Sequence, residues 1–164
     1  MPFAVTHILV PIIFVDLIRD HFLKIKKQFL PNRYILLAGI SGLLPDIDML
    51  PVLFGMPNLH GTITHSIVFP IVFLVGFLIS YYFKKRRTHK IFLMLFIGFS
   101  IHIILDGIFS DHITLFFPFV FDRYGLNLIG PLGSWFDLYA AMDAILLFLW
   151  FIHEELEHNI SEYL

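Results

Sequence analysis

Long apolar runs, separated by two clusters of basic residues, are the feature of this sequence that most restricts its fold. The three strongest runs cover residues 65–83, 91–109 and 138–152, and two weaker ones cover residues 3–18 and 34–44. Because 58% of the residues are hydrophobic and only 15% are charged, the chain is more apolar than soluble domains usually are. We therefore predict an all-α fold, a multi-pass membrane bundle with about five membrane-embedded helices.

The length of 164 residues fits one domain, which we assign to residues 1–164. The first apolar run lacks a basic segment and a small-residue cleavage site and contains His7 and Asp16, so we predict a retained helix rather than a signal peptide. Residues 113–121 are apolar but short, and Pro118 would interrupt a helix there. We expect this segment to be re-entrant or interfacial.

The basic residues predict how the helices are oriented. Every Lys and Arg except Arg123 falls within residues 19–33 or 84–90. With five crossings both clusters lie on one side, which the positive-inside rule makes the cytoplasmic side of the cell membrane. We interpret the clusters as topology anchors, and we expect membrane lipids as partners of the chain as a whole. Nucleic acid is not an expected partner, because its binding requires a basic groove with readout chemistry.

Several His and Asp residues lie in or beside the apolar runs, where ionisable groups are costly and usually mark a functional site. Because successive helices cross the membrane in alternating directions, these residues all fall in one layer near the outer face. In chain order the candidate metal ligands are His7, Asp46, Asp48, His60, His65, His102, Asp106 and Asp143. Asp111 and His112 follow the fourth run and are weaker candidates for the same site.

The spacing of two pairs supports a shared ion. His102 and Asp106 are four residues apart, so they share one helix face. Pro45 is expected to hold the following turn extended, so that Asp46 and Asp48 could point to one site or bridge two metals. Taken alone, the first pair fits a hydrogen bond between helices equally well, and the second fits a solvated acidic loop.

The remaining candidates are single residues or a looser pair. His60 would lie in a loop and His65 at the start of a helix, with Thr64 placed to cap that helix. This arrangement is common at metal sites, although a polar loop at the membrane surface would look similar. His7 could be a structural histidine, and Asp143 could support the ligands or contact another helix.

Together these residues offer up to four His and four Asp, enough for two or three metal ions. The chain has no Cys, and imidazole and carboxylate donors suit zinc, manganese or iron. Zinc is our prediction. Such a site makes a bound water more acidic, and a carboxylate not engaged with metal can accept its proton. We favour Asp48 as that base, with Asp46 as the second catalytic carboxylate, for hydrolysis of a phosphate ester or an amide.

At these residues the sequence resembles the YdjM-like membrane-bound metal-dependent hydrolases, over roughly residues 3–150. The matching motifs are His7, Leu43-Leu44-Pro45-Asp46-Ile47-Asp48, His60 with Thr64-His65-Ser66, His102 with Asp106, and Leu115 to Phe119. That family is distantly similar to zinc-dependent phospholipase C and the S1/P1 nucleases, which implies phosphodiester hydrolysis at a multinuclear zinc site. Family members commonly have Arg where this chain has Gly61; if that Arg holds a substrate phosphate, its role is either vacant in this chain or passes to Arg123.

We therefore expect a metal-dependent phosphoric ester hydrolase at the outer face of the membrane, with a lipid-linked ester as a candidate substrate. A divalent-metal transporter is one alternative, but transport sites usually lie near the midplane between repeated halves, and the sequence indicates neither feature. A membrane scaffold stabilised by a structural metal is another. The sequence does not specify the substrate, the number of metals or the oligomeric state.

Overall fold

The computed structural model describes residues 4–24, 29–57, 60–110, 113–128 and 135–158. These residues form five α-helices: α1 (Ala4–Leu17), α2 (Asn32–Ser41), α3 (Val68–Tyr82), α4 (Arg86–Phe109) and α5 (Trp135–His158). A π-helical turn, Ile18–Phe22, continues α1, and a 3₁₀ helix, Leu44–Phe54, follows α2. The prediction of an all-helical fold is confirmed, and each predicted apolar run overlaps one helix.

Helix length supports fewer membrane crossings than we predicted. Among the described residues only α4 is long and apolar enough to cross a membrane by itself. The pair Asn32–Ser41 and Leu44–Val52 passes the same test together but is bent by 41°, as in a broken span or a re-entrant loop. Helix α3 has 15 residues, about 23 Å of helix against about 30 Å of hydrocarbon. The set of five membrane-embedded helices stays a prediction.

The hydrophobic core lies where α1, α2 and α4 meet. Its buried side chains are Ile12, Val15, Tyr34, Ile35, Ala38 and Met94, and Trp150 of α5 packs against them. Helices α2 and α4 approach closely because Gly98 has no side chain. A Cβ at Gly98 would lie 1.7 Å from Oγ of Ser41. The hydroxyl of Ser41 donates a hydrogen bond to the carbonyl oxygen of Met94 at 2.9 Å, which fastens the two helices.

The direction of the helices gives the bundle two chemically different ends. His7 near the start of α1 contacts Asp106 near the end of α4, with Nε2 and Oδ1 3.2 Å apart. At the opposite end, Arg33 at the start of α2 and Arg86 at the start of α4 line one cavity. Helices α2 and α4 therefore begin together, whereas α1 runs the other way, and the His and Asp residues collect at one end.

Two local predictions were wrong. The segment after Pro45 is a 3₁₀ helix rather than an extended turn, because proline fits the first helical turn, where its missing N–H needs no partner. The helix predicted to begin at His65 begins at Val68. Thr64 therefore does not cap it, and its hydroxyl instead donates to the carbonyl oxygen of Pro45 at 2.6 Å.

The segment after α4 packs on the loop before α3. The backbone N–H of Thr114 donates to the carbonyl oxygen of Gly61 at 2.8 Å, and that of Ile67 donates to Leu115 at 2.9 Å. Ile113 forms an isolated antiparallel bridge with Tyr124. These contacts hold the loop that carries His60 and His65. Asp111 and His112, which we considered for the site, lie outside the described residues.

Candidate metal centre

Helix α4 supplies two completely buried ligand candidates, His102 and Asp106. Nδ1 of His102 donates a hydrogen bond to the carbonyl oxygen of Gly42 at 2.6 Å. Because a carbonyl can only accept, this contact places the proton on Nδ1 and leaves a lone pair on Nε2 of the neutral ring. That nitrogen lies 3.4 Å from Oδ2 of Asp106 and 3.1 Å from Nε2 of His65. The i,i+4 pair therefore points to one position.

His65, in the loop before α3, completes the buried centre. Its Nε2 lies 3.1 Å from Oδ2 of Asp106, and its Nδ1 lies 3.1 Å from Oδ2 of Asp48. Burial alone would lower the pKa of His65, but these two carboxylates outweigh it and raise the pKa to about 9. The carboxylates thus favour a positive charge at this position, which a proton or a bound cation can supply.

Oδ2 of Asp106 is the best indication that the centre suits a metal ion. The atom is buried and accepts no hydrogen bond of adequate geometry, although imidazole nitrogens of His65 and His102 lie within 3.4 Å. A buried carboxylate oxygen without a hydrogen bond is costly. A cation among the three atoms would remove that cost. Donors bound at about 2.1 Å around a tetrahedral ion lie about 3.4 Å apart, close to the separations seen here.

His7 of α1 extends the centre on the side of Oδ1. Its Nε2 lies 3.2 Å from Oδ1 of Asp106, and its ring centroid lies 4.1 Å from that of His102. His7 is 2% exposed. The carboxylate of Asp106 therefore has one oxygen toward His65 and the other toward His7, an arrangement that can bridge two ions.

Asp46 and His60 form the more open side of the centre. Oδ1 of Asp46 lies 3.7 Å from Nδ1 of His60, 3.8 Å from Nε2 of His65 and 3.6 Å from Nε2 of His102. The side chains of Asp46 and His60 are 27% and 12% exposed, respectively. A substrate or water would therefore meet these two residues first.

Two groups of donors have ligand atoms within 4.8 Å of one another. The first comprises Asp46, His60, His65 and Asp106, and the second comprises His7, His102 and Asp106. Asp106 is common to both groups. The described residues thus contain a cluster that could hold metal ions, while their identity and number stay predictions.

Two of the proposed ligands lie outside both groups. Asp48 accepts hydrogen bonds at 3.0 Å from Nδ1 of His60 and at 2.8 Å from the hydroxyl of Thr64, in addition to its contact with His65. Asp143 accepts bonds from the backbone N–H of Thr6, at 3.1 Å, and from its hydroxyl. In this geometry Asp48 orients imidazoles, and Asp143 holds the start of α1, next to His7.

The sequence reasoning did not identify Thr6 or Gly42 as supports of the centre. Thr6 left a weak signal, a hydroxyl inside an apolar run directly before His7. Gly42 left none, because it acts through its carbonyl oxygen, which every residue has. Hydrogen bonds to groups that do not themselves bind the metal fix the orientation of histidine ligands.

We predict that Asp48→Asn lowers the zinc affinity of the protein about 10- to 100-fold, the range typical for groups that orient metal ligands. The amide keeps the size of the carboxylate but loses the charge that faces His60 and His65. Zinc competition with a chromogenic chelator measures the effect. Asp122→Asn removes one exposed carboxylate elsewhere and is the matched control. Equal affinities of the two variants would contradict the orienting role.

Fold and centre together define an all-helical protein with a buried His/Asp cluster that could hold metal. The sequence profile of the family described as YdjM inner membrane protein matches residues 1–158. The chain therefore belongs to the YdjM inner membrane protein family, which confirms the resemblance and indicates a membrane location. No curated protein and no solved structure matches the chain, and the distant similarity to phospholipase C and S1/P1 nucleases stays a prediction.

Proposed function

We propose that the protein is a metal-dependent hydrolase that cleaves a phosphate ester or phosphodiester. The observation that carries this proposal is the convergence of His65, His102 and the buried Oδ2 of Asp106 within 3.4 Å. Carboxylate and imidazole donors in this arrangement fit one or more zinc ions. When bound, a zinc ion supplies a Lewis acid, which draws electron density from a phosphate ester and makes water more acidic.

The geometry favours Asp46 over Asp48 as the general base. Asp46 is the most exposed carboxylate of the centre, so water can reach it beside the buried donors. Both oxygens of Asp48 already face imidazole nitrogens. In our proposal Asp46 accepts the proton of the attacking water, while Asp48 keeps the imidazoles oriented.

A groove beside the centre supports a substrate with a hydrocarbon chain. It has a volume of about 750 Å³ and is lined mainly by apolar side chains from α3, α4 and the segment after α4. Ile103 and Gly107 in its wall directly follow His102 and Asp106, and Ile67 lies two residues after His65. An acyl or prenyl chain in this groove would bring its phosphate headgroup toward the centre. The proposed substrate is therefore lipid-linked.

The proposed topology has five membrane-embedded helices, with the metal centre at the outer face. Helix direction supports it: the His and Asp residues and the basic residues lie at opposite ends of the bundle. The positive-inside rule then places the basic end in the cytoplasm.

EDTA does not cross membranes. With this topology we therefore expect EDTA to stop hydrolysis when it is added outside sealed right-side-out vesicles.

The test of this function is hydrolysis by purified protein in detergent. We expect zinc-dependent cleavage of phosphodiesters that carry an acyl chain, loss of activity with EDTA, and little activity of Asp46→Asn.

Ile71→Trp, which fills the groove, should lower kcat/KM at least tenfold for the acylated ester, because it would remove about 1.4 kcal/mol of binding free energy. It should leave a water-soluble ester unaffected.

Val72→Trp is the matched control for the groove, because Val72 is exposed on the same helix but does not line it. Equal effects of both Trp variants would exclude the groove as the chain-binding site. Zinc binding without cleavage of any ester, together with zinc flux in proteoliposomes, would favour a transporter. Zinc binding with neither activity would favour a structural metal.

A further inference from the structure

We infer that the end of the bundle opposite the metal centre binds the phosphate of an anionic membrane lipid. The site is a cavity of about 300 Å³ between the starts of α2 and α4, which we call the basic cavity. It is lined by Arg33, Tyr34, Arg86, Arg87 and Lys90. This inference concerns a separate site and does not depend on the proposed hydrolase activity.

The basic cavity contains several positively charged side chains at helix N-termini, where the helix dipole makes positive charge unfavourable. Arg33 lies in the first turn of α2, and Arg86 and Arg87 begin α4, so these three guanidinium groups stand at the positive ends of two helix dipoles. Neither helix has an acidic residue in its first turn. Within the described part of the chain, no carboxylate forms an ion pair with these arginines. An anion in the cavity would relieve this repulsion.

Packing around Tyr34 shows that part of this charge is held in place. Tyr34 is only 6% exposed and belongs to the core. The guanidinium of Arg33 and the ammonium of Lys90 lie 5.4 Å and 5.5 Å from its ring centroid, within the range of cation–π attraction. Nζ of Lys90 also donates a hydrogen bond to the carbonyl oxygen of Phe29. Two cations are thus positioned before any ligand arrives, which lowers the entropy cost of binding.

An adjoining recess favours a lipid over a free phosphate. It has a volume of about 680 Å³ and includes Leu78, Tyr81 and Tyr82 in its walls, and Arg86 lines both this recess and the basic cavity. A phosphate in the basic cavity would therefore have apolar and aromatic surface beside it for a chain. Basic pockets between membrane helices on the cytoplasmic side commonly bind acidic lipid headgroups.

Topology alone does not explain the basic cavity. Positive charge anchors a loop on the cytoplasmic side wherever it lies in that loop. Lys24 and Lys85 serve that role without lining either cavity. Residues that are distant in sequence, Arg33 and Arg87, instead come together across two parallel helices. The arrangement provides several guanidinium groups around one small volume, which suits a phosphate.

The experiment measures binding of short-chain phosphatidylglycerol to the purified protein in neutral detergent by native mass spectrometry. The variant is Arg33→Gln/Arg87→Gln, and the matched control Lys24→Gln/Lys85→Gln removes the same charge from the same two loops. We expect the first variant to weaken binding about thirtyfold, since each basic residue contributes about 1 kcal/mol, and the control to change it little. Thermal unfolding of both variants shows that they are folded.

Two further ligands identify the source of the phosphate. Short-chain phosphatidylcholine tests the need for net negative charge, and glycerol 3-phosphate tests the need for a chain. The inference is supported if phosphatidylglycerol binds tightly and the other two ligands bind weakly. Equal losses in both double variants would show only diffuse electrostatic attraction and would overturn it. Glycerol 3-phosphate binding as tightly as phosphatidylglycerol would overturn the lipid assignment in favour of a soluble phosphate.

Discussion

The double variant His65→Ala/His102→Ala should lose all bound zinc and all metal-dependent hydrolysis. Both imidazoles are completely buried, and their Nε2 atoms lie within 3.4 Å of Oδ2 of Asp106. The two donor groups share Asp106 and each contains one of these histidines, so the double variant damages both. Elemental analysis should give about two zinc equivalents for the wild type, one for each group, and none for the variant.

A loss of zinc could also follow from poor folding, so two further variants are needed. His89→Ala removes a histidine from the start of α4, at the end of the bundle far from the centre, and should keep its zinc. His102→Gln keeps a donor for the carbonyl oxygen of Gly42 but replaces the imidazole. It should unfold at nearly the wild-type temperature while binding less zinc. Zinc retained in the double variant would mean that the cluster is not the metal site.

The sequence allowed the grouping of the site residues to be predicted because two simple rules determine it. Helical spacing puts His102 and Asp106 on one face. The alternating direction of successive helices brings the start of α1 and the end of α4 to one end of the bundle, so His7 meets Asp106 across 99 positions. Both rules need only the helix boundaries, which long apolar runs indicate well.

Details of the centre depended on local backbone geometry that the pattern does not contain. Pro45 is compatible both with an extended turn and with a first helical turn, and only the latter occurs. The contacts of Asp48 with His60 and His65 follow from that geometry. The hydroxyl of Thr64 likewise serves Pro45 and Asp48 rather than a helix start, because α3 begins later than predicted.

The two basic clusters illustrate a different limit. Their charge predicted an orientation, which is a property of each loop by itself. Their convergence into one cavity depends on α2 and α4 beginning side by side, and therefore on the close approach at Gly98. Contacts between distant helices of this kind require tertiary packing, which no local pattern specifies.

Gly98→Ala should destabilise the protein and weaken zinc binding together. A Cβ at residue 98 would lie 2.3 Å from the carbonyl oxygen of Ala38 and 2.8 Å from the backbone nitrogen of Gly42. Backbone atoms cannot rotate away, so α2 must move off α4, at a cost of about 1–3 kcal/mol or more. The helix propensity gained by replacing glycine returns only about 0.5–1 kcal/mol. The net effect is therefore destabilising, and thermal unfolding in detergent measures it.

Zinc content separates this prediction from a general loss of stability. Moving α2 shifts the carbonyl oxygen of Gly42, which holds Nδ1 of His102 at 2.6 Å, and we expect zinc affinity to fall about 10- to 100-fold. Gly107→Ala is the control on the same helix, since its Cβ would make only an ordinary contact, 3.5 Å, with Ile113. It should keep both stability and zinc. If Gly98→Ala unfolded earlier yet bound zinc normally, the crossing of α2 and α4 would support the fold without orienting His102.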